Sequence, residues 1–292
     1  MLTVRVGCNI RFDCEATATA ILLINPRFDS DHLVRNENVD FCHASNSQAF
    51  KDARGNLCHR VILNPGPNEI THDALVEVSA ASDRDEQIGE MPSIDTLDPE
   101  NLRYLLPSRY CDSDKLFDFA QANFGYIVDA AERVQAISDW VHNNIEYRFG
   151  SGRPDISATQ IIERRFGVCR DFAHCTIALC RALNIPARYV TGHLPDIGHL
   201  DPGSPMDFHA YSEVYLGGKW HVFDARYNEP RIGRIKIAHG LDAVDCAFAT
   251  AYGPARLANF QVWAYQVDPR QVTVGDPIDL SKRLDGVEEI RF

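Results

Sequence analysis

Gly167-Val168-Cys169-Arg170-Asp171-Phe172 places a cysteine where a turn hands over to an apolar helix. The first N–H groups of a helix have no partner inside it, and the macrodipole adds partial positive charge there. A thiol in that position is expected to titrate well below its free value of about 8.5, and the thiolate is the nucleophilic form. Gly167 carries no side chain, which keeps the approach to the sulfur open. Forty residues on, His209-Ala210-Tyr211 and Val222-Phe223-Asp224 lie either side of Gly217-Gly218, a hairpin signal. A two-residue turn pairs Leu216 with Lys219, Tyr211 with Asp224 and His209 with Arg226. His209 and Asp224 then share one face as diagonal neighbours, roughly 7–8 Å apart before their side chains reach inward. A three-residue turn would put them on opposite faces. The three residues fit an activated nucleophile: His209 accepts the thiol proton, and Asp224 holds its Nδ1–H and fixes the tautomer. Taken singly, each is more often a packing or turn residue. It is their order and placement that point to catalysis.

The elements that must position them are legible. Val168, Phe172, Cys175, Leu179 and Leu183 recur at helical spacing, with small residues on a second face, so the helix is buried. Ile185-Pro186 ends it. Upstream, Asp112-Ser113 is placed to cap a helix running to Gly125. Val134, Ile137, Val141 and Ile145 mark another helix, and Ser157 with Gln160 forms a capping-box pair before a helix closed by Gly167. Residues 1–80 read as strands at Leu2–Val6, Ile21–Ile24, Val61–Leu63 and Ala74–Val78, with a turn at Asp52–Asn56. Ser82-Asp83-Arg84-Asp85-Glu86-Gln87 is a charged connector. After Pro186 the pattern returns to strands.

Other candidates carry less. Cys42-His43 and Cys58-His59 are adjacent pairs that point to opposite faces of a strand, and no Cys-x-x-Cys spacing occurs, so no metal is expected. His221 alternates away from Asp224. His174 lies about 140° round the helix from Cys169, which excludes it as the base. There is no phosphate loop, dinucleotide fingerprint or EF-hand loop, so no cofactor is implied. Cys175 and Cys180 read as packing residues. Beside the Cys169 N–H, a second oxyanion donor is left open among Tyr147, Asn144 and Gln160.

The block from about residue 130 to 250 resembles the transglutaminase-like superfamily with its papain-like core. Gly167–Phe172, Cys180–Gly192, His209–Val214 and Trp220–Asp224 carry the resemblance. Asp52-Ala53-Arg54-Gly55-Asn56 is similar to the N-terminal β-domain of bacterial members, and residues 237–245 to the segment that follows their catalytic aspartate. The resemblance implies an α+β fold: a helix bearing the cysteine packed on an antiparallel sheet, with an N-terminal β-sandwich-like domain. It implies Cys169 as nucleophile, His209 as general base and acid, and Asp224 as the orienting group. Arg170 stands where many true transglutaminases have Trp, and Tyr211 where many members have Trp. The expected division is an N-terminal β-rich domain (1–90), a catalytic domain (91–265) and a C-terminal tail with a possible strand (266–292). The expected activity is a cysteine peptidase or amidase acting on peptide or protein amides. Transfer to an amine acceptor, and a non-catalytic scaffold on the same fold, are the alternatives.

Composition agrees. The chain has 292 residues, 45% of them hydrophobic, and a net charge of −12, which argues against a nucleic-acid or anionic-membrane partner. No run is long enough to span a bilayer, and the N-terminus alternates like a strand instead of carrying a leader's apolar run. Nine cysteines without a spacing framework suit free thiols in a reducing compartment, so a cytoplasmic location is expected.

Overall fold

The computed structural model describes residues 1–28, 31–83 and 88–286. Most of the charged connector, residues 84–87, lies outside them. The chain begins with six strands: β1 (Leu2–Cys14), β2 (Ala18–Leu22), β3 (Leu33–Cys42), β4 (Ser45–Lys51), β5 (Leu57–Leu63) and β6 (Gly66–Val78). Helices follow: α1 (Phe117–Phe124), α2 (Ala130–Asn144), then the short β7 (Glu146–Tyr147), α3 (Ala158–Arg164), β8 (Phe166–Gly167) and α4 (Cys169–Ala182). Strands close the chain: β9 (Ala187–His193), β10 (His209–Leu216), β11 (Lys219–Phe223), β12 (Ile235–Gly240), β13 (Ala249–Tyr252) and β14 (Ala255–Gln266).

Two four-stranded sheets, β14-β1-β6-β3 and β13-β2-β5-β4, build the β-rich part. Both contribute to one apolar core: Cys8, Ile10 and Phe12 of β1 meet Leu22, Val61 and Leu63 from the other sheet. Alternation puts Val4, Val6, Cys8, Ile10 and Phe12 on one face, and over residues 4–8 the opposite face is buried too. In its first half, Val4 and Val6 pack with Ile197 and Ile235, from the C-terminal half of the chain. A third sheet, β11-β10-β9-β12, carries α4. The architecture is therefore the α+β, helix-on-antiparallel-sheet arrangement expected.

The outer strands β13 and, but for its last residue, β14 fall within residues 91–265, yet they hydrogen-bond to β2 and β1. Their chemistry explains it: Val262 and Ala264 need an apolar face to cover, and β1 has an open edge for β14. The tail holds a 3₁₀ turn at Leu280–Lys282 and no strand among its described residues, 267–286.

The Asp52–Asn56 turn docks on the segment after Asp224. Asp52 Oδ1 accepts from the N–H groups of Arg54 (2.8 Å) and Asn56 (2.9 Å). Asn56 is fully buried; its Nδ2 donates to His239 O (2.9 Å), and its Oδ1 accepts from His239 N–H (3.0 Å). Arg54 pairs with Asp245 at 2.8 Å. These bonds tie the two halves together.

β3 and β4 are absent from the expected elements. β4 is solvent-facing along its whole length, and in β3 the polar run 35–38 separates Val34 from Val39 and Phe41, which pack inward, so the alternation is too short to mark a strand. The Ser157–Gln160 pair forms as expected, with Ser157 N–H donating to Gln160 Oε1 at 2.9 Å. That helix is closed by Arg165 in the left-handed region (φ 64°), not by Gly167.

Candidate active site

Cys169 is the first residue of α4. The turn before it is held by Asp171, whose Oδ2 accepts from Val168 N–H at 3.0 Å. This gives Gly167 its reason. A Cβ there would lie 2.6 Å from the Asp171 side chain, so the glycine makes room for the carboxylate that caps the helix, a different role from keeping the sulfur's approach open. Cys169 Sγ lies 4.0 Å from Phe208 O, the residue before His209.

The hairpin has the two-residue turn. Leu216 pairs with Lys219 and Ser212 with Phe223, and Gly217 and Gly218 take φ of 56° and 84°. Both values suit a type I′ turn, in which glycine adopts positive φ without penalty. His209 opens β10, and Asp224 follows directly on β11. Their side chains meet at 2.7 Å. The nitrogen engaged is Nε2, not the expected Nδ1. Cys169, His209 and Tyr147 line one cavity of about 350 Å³. Asp224 lies behind His209 and is buried.

Arg234, missed in the sequence, braces the site. It precedes β12, pairs with Asp224 Oδ2 at 2.8 Å, pairs also with Asp83, and lies over the Tyr211 ring. Asp224 Oδ1 accepts from Arg226 N–H at 3.1 Å. Burial alone would raise the Asp224 carboxyl, but the His209 ring and the Arg234 guanidinium hold it well below the usual range. A signal existed: Arg234 and Lys236 alternate with the buried Ile235 and Ile237, which puts two cations on one strand face.

The thiol departs from expectation. Burial pushes Cys169 up to about 12, and Asp207 and Asp224 add to the rise. The N–H groups of Ala210 and Arg170 aim at the sulfur and work the other way, without prevailing. Desolvation and two carboxylates outweigh the helix terminus. On this balance the surroundings favour the thiol over the thiolate.

Of the three oxyanion candidates, Tyr147 reaches the cavity. Gln160 is spent on its capping bond, and Asn144 bonds Trp140 O and Arg165 on the surface. His174 is buried between Tyr110 and Tyr189 and accepts from Ala243 N–H at 3.2 Å. Burial depresses it to about 3. His221 bonds Leu216 O at 3.0 Å. Cys175 and Cys180 are fully buried.

Helix on sheet, a cysteine opening the helix and a histidine on the facing strand define a papain-like architecture. The core pattern of the transglutaminase-like superfamily matches residues 118–225. A solved structure from Cytophaga hutchinsonii, named a "putative cysteine protease", is 34% identical, with a TM-score of 0.81 and 91% of each chain covered. An uncharacterized protein of Mycobacterium leprae is 24% identical over 85% of this chain and 91% of its own. Human kyphoscoliosis peptidase is 28% identical over 110 residues, 36% of this chain and 17% of that protein. The chain belongs to the transglutaminase-like superfamily.

Proposed function

We propose that this chain is a cysteine-dependent peptidase or amidase working through Cys169, His209 and Asp224. The observation that carries the reading is a thiol at a helix start and a carboxylate-held imidazole lining one cavity. In this mechanism the Cys169 sulfur attacks a carboxamide carbon as its proton passes to His209 Nδ1. The carbonyl oxygen becomes an oxyanion, held by the Cys169 N–H and by the Tyr147 hydroxyl. Collapse breaks the C–N bond, and His209 returns the proton to the leaving amine. His209 then takes a proton from water, which attacks the thioester and frees the acid and the thiol. Asp224 holds Nε2–H throughout and stabilises the imidazolium. Arg170 stands where many true transglutaminases have Trp, which weakens the case for an amine acceptor. Two similar proteins bear protease or peptidase names, which agrees with hydrolysis.

The test is turnover of a panel of fluorogenic peptide amides by wild type and Cys169→Ala. Hydrolysis by wild type and its loss in a folded variant support the reading. Hydrolysis retained near the wild-type rate refutes it. Adding a primary amine separates the outcomes: the amine's acylated product, a new amide, formed in preference to acid would make the protein a transferase.

A further inference from the structure

The cavity beside Cys169 holds three aspartates, and two are already neutralised. Asp196 pairs with Arg283 at 2.8 Å and with Arg231 at 3.4 Å. Asp201 pairs with Arg283 at 2.5 Å. Asp207 differs. One oxygen accepts from Phe208 N–H at 2.7 Å, and among the described residues no basic side chain forms an ion pair with it. The cavity's other cation, Arg226, stacks over the Tyr147 ring (3.7 Å) and the Tyr227 ring (4.9 Å) instead. Asp207 is solvent-accessible and two residues before His209, on the same cavity wall as the nucleophile.

We infer that Asp207 selects amide substrates that carry a positive charge, an ammonium or guanidinium, next to the scissile bond. The inference rests on the proposed Cys169 chemistry and names its substrate class. Its physical logic is a cost that the substrate removes. An unpaired carboxylate near a thiol opposes thiolate formation, and Asp207 is one of the groups that raise Cys169. A cationic substrate group seated on Asp207 makes a charge-assisted hydrogen bond and cancels that field as the sulfur must lose its proton. Binding and activation then come from one contact, and a neutral substrate leaves the carboxylate unanswered. Desolvation raises the Asp207 carboxyl, while the Phe208 N–H and the His209 ring work the other way.

The experiment compares kcat/KM for matched fluorogenic amides with Lys, norleucine or Glu on the acyl side of the scissile bond. Each is made N-acetylated and with a free amino end, so a cationic side chain is distinguished from a chain terminus. Wild type is expected to favour a charged member over its neutral match. Asp207→Asn is expected to cut that ratio by about 10- to 100-fold. Asp207→Lys is expected to turn the preference toward Glu. Equal ratios in wild type and Asp207→Asn overturn the inference. If Cys169→Ala abolishes turnover of the norleucine amide while the ratios stay equal, the inference fails alone. If Cys169→Ala keeps turnover, the proposed chemistry fails first.

Discussion

Asp224→Asn tests the electrostatics of the site most sharply, because the carboxylate has three partners that an amide cannot satisfy together. Oδ2 receives His209 Nε2 at 2.7 Å and Arg234 at 2.8 Å, and Oδ1 receives Arg226 N–H at 3.1 Å. If the Asn oxygen takes the Oδ2 place, its NH₂ confronts the Arg226 N–H, donor against donor. If the amide flips, the NH₂ faces both Arg234 and His209. Nε2 must then become the acceptor, the proton moves to Nδ1, and the nitrogen that should take the thiol proton is blocked. Either orientation also removes the charge that steadies the imidazolium. The expected loss in kcat is about 10²–10⁴-fold, which corresponds to about 3–5 kcal/mol of transition-state stabilisation. KM should change little, since the contact matters mainly in the transition state. Arg234 keeps Asp83 but loses one counter-charge, so stability should fall by roughly 2–4 kcal/mol. Steady-state kinetics on a fluorogenic amide reads the first effect, and urea unfolding reads the second. A folded variant with kcat within a few-fold of wild type would refute the reasoning, leaving Cys169 and His209 as a dyad.

Arg234→Gln strands Asp83 and Asp224 in the interior, and should lower both kcat and the unfolding midpoint; Asp83→Asn in the same background should recover stability before activity, and unchanged kinetics in both would remove Arg234 from the site. Gly167→Ala puts a Cβ 2.6 Å from Asp171, so the Val168 cap should break and kcat should fall by about tenfold, with circular dichroism little changed; wild-type kinetics would show that the cap does not position Cys169. Glu213 is buried between Arg188 (2.6 Å) and Lys236; burial would raise it, yet those two cations hold it down at about 2, below its unfolded value of about 4.3. A depressed acid stabilises the fold above its unfolded value and loses that contribution as pH falls toward 2, so melting temperature should drop across pH 4.5 to 2, and Glu213→Gln should lower it at pH 7 while flattening the drop. An acid limb of the same slope in the variant would assign the effect to other groups.

How far the sequence reaches depends on which interactions are local. Helix α4 was legible because its apolar spacing, its start after Gly167 and its stop at Pro186 all lie within twenty residues of each other. The register joining His209 to Asp224 was legible because two glycines set the turn, and alternation does the rest. Arg234 and Asp83 were not, since they are 151 residues apart and meet through the fold. The ring nitrogen facing Asp224 depends on a side-chain torsion that strand parity does not determine. The groups that raise the Cys169 thiol could not be read locally: the helix terminus is a local feature, whereas burial and the approach of Asp207 and Asp224 belong to tertiary structure. β4 lacked an apolar face to announce it, and the polar run 35–38 interrupts the alternation of β3.

The central claim, that Cys169 forms a covalent acyl intermediate, is tested most directly by trapping it. An activated acyl substrate is mixed with the full chain, quenched in acid within the first turnover, and read by intact mass and peptide mapping. The account expects one acyl group on the peptide containing Cys169, lost on adding hydroxylamine and absent in Cys169→Ala. Turnover without an adduct, or an acyl group on one of the eight other cysteines with Cys169 unmodified, would contradict it.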